Sequence, residues 1–170
     1  MSKADNPEAS YFEEVVVFPA KYDDKMHYTL ITRTQAEEEV TGYIIDTDSR
    51  KDANIIAKAI NDYINTLEEV DFELEDAMVI KLRDKYNVTR ISGTTRLARY
   101  AKEDTANKLA DGINTYIKHL QAISGVSRKE LKYRMGYEYY KKKNKELEWD
   151  LNSAKQFEYD YRGCCCGGDD

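Results

Sequence analysis

Between Arg128 and Tyr161 the chain has no proline and a single glycine, Gly136. Proline and glycine are the residues that stop helices, so a run without them is free to continue one. Ser127 and Glu130, spaced S-x-x-E, form a capping box that fixes where the helix starts. The 34 residues that follow Ser127 predict one helix of about 51 Å, longer than a small domain is wide. Tyr133, Tyr137, Tyr140, Leu147, Leu151, Ala154 and Tyr161 recur along it at alternating steps of three and four, interrupted by Asn144 and Glu158. This is a heptad-like stripe, and an apolar stripe needs a partner. A preceding helix folded back as a hairpin covers only part of it, which leaves the rest for self-association or for another protein.

That preceding helix is expected to be about thirty residues long, marked by Leu97, Tyr100, Ala101, Leu109, Ile113, Tyr116, Ile117 and Leu120. Ser124 and Gly125 end it, Ser92 and Gly93 form a hinge before it, and Gly112 within it is expected to be merely tolerated. Two medium helices precede the hinge. The first is capped by Ser49 with Asp52 and carries Ile55, Ile56, Ala59, Ile60, Tyr63, Ile64 and Leu67 at helical spacing. The second is expected through Leu74, Ala77, Met78, Leu82 and Tyr86, broken at Asn87 to Thr89.

The beginning of the chain has a different period. Tyr11 to Phe18 is aromatic and β-branched and is expected to stop at Pro19; Met26 to Arg33 alternates; Val40 to Ile45 is a third strand-like run, with one helical turn or an exposed connection over Thr34 to Glu39. Tyr22, Asp23 and Asp24 supply the first turn. No internal repeat is read along the chain. The expected fold class is therefore α+β: a small N-terminal antiparallel sheet followed by a mainly helical region ending in a long helical hairpin. Residues 1–9 read as a flexible arm, 10–162 as a single domain (10–48 β-rich, 49–124 helical, 127–162 the long helix), and 163–170 as a Cys/Gly/Asp tail.

Composition limits what such a chain does. At 170 residues it has room for one compact domain, and with 34% charged residues no stretch is apolar enough to span a membrane. No secretory signal is read in the first twenty residues. Cys164, Cys165 and Cys166 are adjacent and cannot close a disulfide loop, while His27 and His119 are far from them, so no metal site and no cofactor is expected. The net charge of -6 hides an uneven layout: Met1 to Val88 holds 20 acidic and 10 basic side chains, Thr89 to Asp170 holds 12 and 16. Arg128, Lys129, Lys132, Arg134, Lys141, Lys142, Lys143 and Lys145 face only Glu130 and Glu138. A dipole of this kind favours head-to-tail contact between copies, or contact with a polyanion. The fourteen tyrosines point the same way, since a broad apolar ring with a polar tip suits contact surfaces.

Two segments resemble known families. Tyr43-Ile44-Ile45-Asp46-Thr47-Asp48 is similar to the opening motif of haloacid-dehalogenase phosphatases, which implies a nucleophilic carboxylate at Asp46, an acid-base carboxylate at Asp48 and magnesium; Arg50 departs from that pattern, and turn and capping roles already account for Asp46, Asp48 and Ser49. Leu120 to Leu131 resembles the core of a helix-turn-helix, with Gly125 at the turn. That likeness implies a recognition helix whose Arg128, Lys129 and Lys132 reach base edges; Gln121 departs from the motif. Lys141, Lys142 and Lys143 would add phosphate contacts.

The expectation that follows is a non-enzymatic structural or assembly subunit, such as a component of a viral (bacteriophage) particle. Tyr133, Tyr137, Tyr140, Leu147 and Leu151 form its contact stripe, and other subunits or further copies are its partners. The alternative is a DNA-binding regulator, and a magnesium-dependent phosphohydrolase stands third. The expected location is the cytoplasm, or the virion for a viral protein.

Overall fold

A computed structural model describes residues 12–37, 43–93 and 96–163. The expected arm, the Val40 to Gly42 part of the third run and Cys164 to Cys166 lie outside them. The chain divides into two compact units, residues 1–132 and 133–170.

In the first unit, β1 (Val15–Tyr22), β2 (Lys25–Thr32) and β3 (Ile45–Thr47) form an antiparallel sheet in the order β1-β2-β3. Asp23 and Asp24 turn the hairpin with positive φ, a conformation that aspartate tolerates better than most residues. Between β2 and β3, α1 (Arg33–Glu37) supplies the expected single helical turn. Pro19 does not end β1. The strand pairs through Pro19↔Tyr28 as far as Tyr22↔Lys25, because β1 is an edge strand and proline's missing donor costs an edge nothing. The helix α2 (Arg50–Asn65) begins where expected, with Ser49 as its cap accepting from the Asp52 amide at 3.2 Å.

The next segment overturns the expected second helix. Residues 74–86 build β4 (Ala77–Leu82) and the start of β5 (Lys85–Arg90), and Asn87 to Thr89 lies inside β5 rather than breaking a helix. The expected thirty-residue helix is also shorter, since Leu97 and Tyr100 belong to β6 (Arg96–Tyr100) and α3 runs only over Glu103–Ser124. Strands β4-β5-β6 form a second antiparallel sheet, inside the region expected to be helical. Gly93, at φ +69°, turns the chain between β5 and β6. The α+β class holds, with two small sheets in place of one.

These elements repeat. Each sheet of three antiparallel strands is followed by a helix, and the two βββα halves correspond residue by residue from β3 and β6 onward. Ala53, Asn54, Ala57, Ile60, Asn61, Tyr63, Ile64 and Leu67 are matched 53 positions later by Ala106, Asn107, Ala110, Ile113, Asn114, Tyr116, Ile117 and Leu120. The expectation of no internal repeat is wrong. The identities begin in the helices and run to Leu67 and Leu120, while the β1–β2 hairpin and the β2–β3 connection are both longer than their counterparts, so the 53-residue offset does not extend back through β1 and β2.

Register gives the faces. Val17, Leu30 and Ile45 stand in line on one side of the first sheet, and Val79, Val88 and Ala98 do so in the second, with Leu30 and Val88 fully buried beneath the helices. Helices α2 and α3 also pack on each other. Gly112 is not merely tolerated there: a Cβ at this position would stand 2.5 Å from Ile56 Cγ2 and 3.7 Å from Ile45 Cδ1. Ala59 holds the equivalent place on α2. On the opposite faces, alternation places Phe18, Thr29 and Asp46 in the first sheet and Ile80, Asn87 and Arg99 in the second.

A buried cation closes the core. Arg90 is 0% exposed; its guanidinium stacks 4.2 Å above the Tyr63 ring, donates to Thr66 Oγ1 at 2.8 Å and reaches the Glu73 carbonyl at 3.3 Å. It thereby ties the end of α2 to the segment leading into β4. A guanidinium at this end also complements the helix's negative pole.

Candidate functional site

α4 (Arg128–Gly163) is the long helix, 36 residues or about 54 Å. Its start is built as the sequence predicts. Gly125 ends α3 in the left-handed region at φ +66°, its amide bonded to the Gln121 carbonyl, and Ser127 Oγ accepts from the Glu130 amide at 3.3 Å.

Two of the three helix-turn-helix residues at this start are held by side chains of the body. Arg128 donates to Asp76 at 2.8 Å, to Gln121 at 3.1 Å and to the Leu74 carbonyl at 3.3 Å. Lys132 bonds Glu73 at 2.7 Å and lies 3.6 Å from Asp71. The hydrogen bond to Glu73 is the first cause that holds the Lys132 ammonium above its ordinary pKa, with both carboxylates adding to it. The acidic segment 71–76 therefore neutralises two of the three proposed recognition residues, and Lys129 is the exposed one of the three.

In the second unit, Tyr133, Tyr137, Tyr140, Leu147 and Leu151 are all exposed, Tyr137 at 68%. Beyond Met135 none of the described side chains of α4 is buried. The stripe is thus solvent-facing for its described length. Tyr137, Tyr140, Lys141, Asn144, Lys145 and Glu148 line one open depression along it. Lys141 lies 5.8 Å above the Tyr137 ring, Lys143 5.4 Å above Tyr139, and Tyr139 meets Tyr140 edge-on at 5.4 Å. Such contacts cover the apolar rings with lysine stems. Trp149, 72% exposed, is a large apolar side chain that heptad spacing does not single out, because it lies off the stripe.

The phosphatase-like residues have a different setting. Asp46 lies in the edge strand β3 with its Oδ2 3.1 Å from His27 Nδ1, and Asp48 is exposed just beyond it. Every strand pairing among the described residues is antiparallel, whereas that family's motif belongs to a parallel sheet. The likeness stops at the six residues. Among the described residues no helix is long and apolar enough to cross a membrane.

The fold and surface together define two fused βββα repeats followed by a long, exposed, heptad-patterned helix. Comparison with protein-family models, with curated proteins and with solved structures finds no match.

Proposed function

We propose that this chain is a non-enzymatic structural subunit that assembles with other protein subunits through α4, in an assembly such as a viral particle. One observation carries this: five large apolar side chains, Tyr133, Tyr137, Tyr140, Leu147 and Leu151, recur at heptad spacing and are all exposed. Scattered surface apolar residues need no explanation, but a regular stripe of this length does. The βββα repeats serve in this reading as the folded body to which the contact helix is joined.

The test is the solution mass of the reduced protein by light scattering, with absorbance at 260 and 280 nm across the peak. Assembly predicts a mass above 19.7 kDa with protein-like absorbance. Leu147→Glu with Leu151→Glu, both at exposed positions, is expected to return the mass to that of the monomer while leaving the circular dichroism of the body unchanged. An unchanged mass in the double variant would remove α4 from the assembly. A peak carrying excess 260 nm absorbance would favour nucleic-acid binding through Lys141, Lys142 and Lys143 instead.

A further inference from the structure

The stripe on α4 coincides with a division of charge. From Tyr133 to Lys145 the helix carries Arg134, Lys141, Lys142, Lys143 and Lys145 against Glu138, a net of +4; from Glu146 to Asp160 it carries Glu146, Glu148, Asp150, Glu158 and Asp160 against Lys155, a net of -4. The sign changes between Lys145 and Glu146. We infer that α4 pairs with α4 of a second copy of this chain in antiparallel orientation, the basic half of each lying along the acidic half of the other. This inference rests on the assembly reading above and specifies the partner and its direction.

The heptad register is compatible with that orientation, which the charge layout selects. When two such helices run antiparallel, an a position of one faces a d position of the other. Aligning the stripe in this way pairs Tyr133 with Glu158, Tyr137 with Ala154, Tyr140 with Leu151 and Asn144 with Leu147, and the two-fold axis then falls between residues 145 and 146. Heptad spacing alone also allows centres at residues 142 and 149, and of the three the one between 145 and 146 is the point at which the charge changes sign. Large rings meet a small or aliphatic partner in two of these layers, while Asn144 opposite Leu147 near the centre lowers stability. Beside the core, Lys141 comes near Glu148 and Lys143 near Asp150 of the other copy, each contact made twice by symmetry, against one like-charged approach of Arg134 to Lys155. A parallel pair would also bring Lys143 near Glu148 and Asp150 near Lys155, and would set Asn144 on Asn144. It would, however, lay +4 along +4 and -4 along -4 over the whole length and set Glu158 on Glu158 in the core.

The experiment uses the full chain with Cys164→Ser, Cys165→Ser and Cys166→Ser, so that new cysteines report alone. One preparation carries Tyr140→Cys, a second carries Leu151→Cys and a size tag, and each is oxidised alone and after mixing. Antiparallel pairing predicts a crosslink between the two kinds of chain in the mixture and little crosslinking in either alone. Self-crosslinking of each variant alone would overturn the orientation while leaving assembly through α4 intact. A chain that stays monomeric and uncrosslinked at every concentration would overturn the pairing itself, and the double-glutamate comparison then shows whether α4 contacts a different subunit. Salt gives a second readout that needs no new cysteine. Antiparallel pairing predicts association about tenfold weaker on raising ionic strength from well below to well above physiological, whereas parallel pairing predicts tighter association as like charges are screened.

Discussion

Asn61 on α2 and Asn114 on α3 make the same pair of hydrogen bonds at the same place in their own repeats. Asn61 Oδ1 accepts from the Val15 amide at 2.8 Å and its Nδ2 donates to the Val15 carbonyl at 2.9 Å; Asn114 does this to Ala77, at 2.7 and 3.0 Å. Val15 and Ala77 are the first residues of β1 and β4. Each amide thus supplies one donor and one acceptor to a strand end and sets that strand against its helix. Replacing either asparagine by alanine removes both bonds and leaves backbone groups at a buried residue unsatisfied. The expected cost is about 1–3 kcal/mol at each site, of similar size in the two repeats, measured by urea denaturation.

Gly112→Ala tests the contact between the helices. Alanine favours a helix interior by about 1 kcal/mol over glycine, yet here its Cβ would meet Ile56 well inside van der Waals distance. Overpacking of this kind costs about 1–3 kcal/mol, so net destabilisation is expected. In the Ile56→Ala background the same change should become neutral or stabilising, and a double-mutant cycle by thermal denaturation measures the coupling.

Arg90→Lys is expected to be a poor replacement although it keeps the charge. A lysine cannot stack flat over Tyr63 while reaching both Thr66 and the Glu73 carbonyl. A loss of about 1.5–3 kcal/mol in unfolding free energy is expected, the range for a hydrogen bond to a charged group. Arg90→Met keeps the volume without the charge, and comparing the two separates packing from bonding.

His119 predicts the acid side of the stability curve. Burial holds its imidazole below the ordinary value of about 6.5. The unfolded chain therefore binds this proton first, so the contribution is fully present above that value and is lost as pH falls through it toward the folded value. His119→Gln is expected to flatten the fall in stability as pH drops below about 6.5. Glu75 acts lower, held below the ordinary carboxylate range chiefly by the Ser92 amide, which donates to it at 2.9 Å. Chemical denaturation at several pH values separates the two.

What the sequence shows of this fold depends on whether each element has one apolar face. α2 has one, and Ser49 caps it, so both its period and its start are legible. β4 hides because Met78, Ile80 and Leu82 on its outer side are as apolar as Ala77 and Val79 on the inner, which erases the two-residue alternation and leaves a coincidental helical spacing. Its hairpin turn adds to the concealment, since Arg83 adopts positive φ without the glycine or asparagine that normally marks one. The repeat is written in the helices, where Asn61 and Tyr63 recur as Asn114 and Tyr116, but the unequal hairpins shift the strands out of step. The heptad stripe on α4 is legible because an exposed helix keeps its heptads in plain view. The ion pairs of Arg128 and Lys132 are not, because their carboxylates at Asp71, Glu73 and Asp76 are more than fifty residues away in the chain.

Asp46 and Arg99 occupy equivalent positions in β3 and β6, opposite Thr29 and Asn87 on the corresponding faces of the two sheets. A dimer of identical modules must show the same surface twice, and any substitution changes both at once. Fusing the modules into one polypeptide removes that constraint. Each surface can then acquire its own chemistry while the shared interior keeps its Asn, Tyr, Ile and Leu positions. An acid on one side and a base on the other mark a molecule whose two halves have kept a common skeleton and abandoned a common exterior.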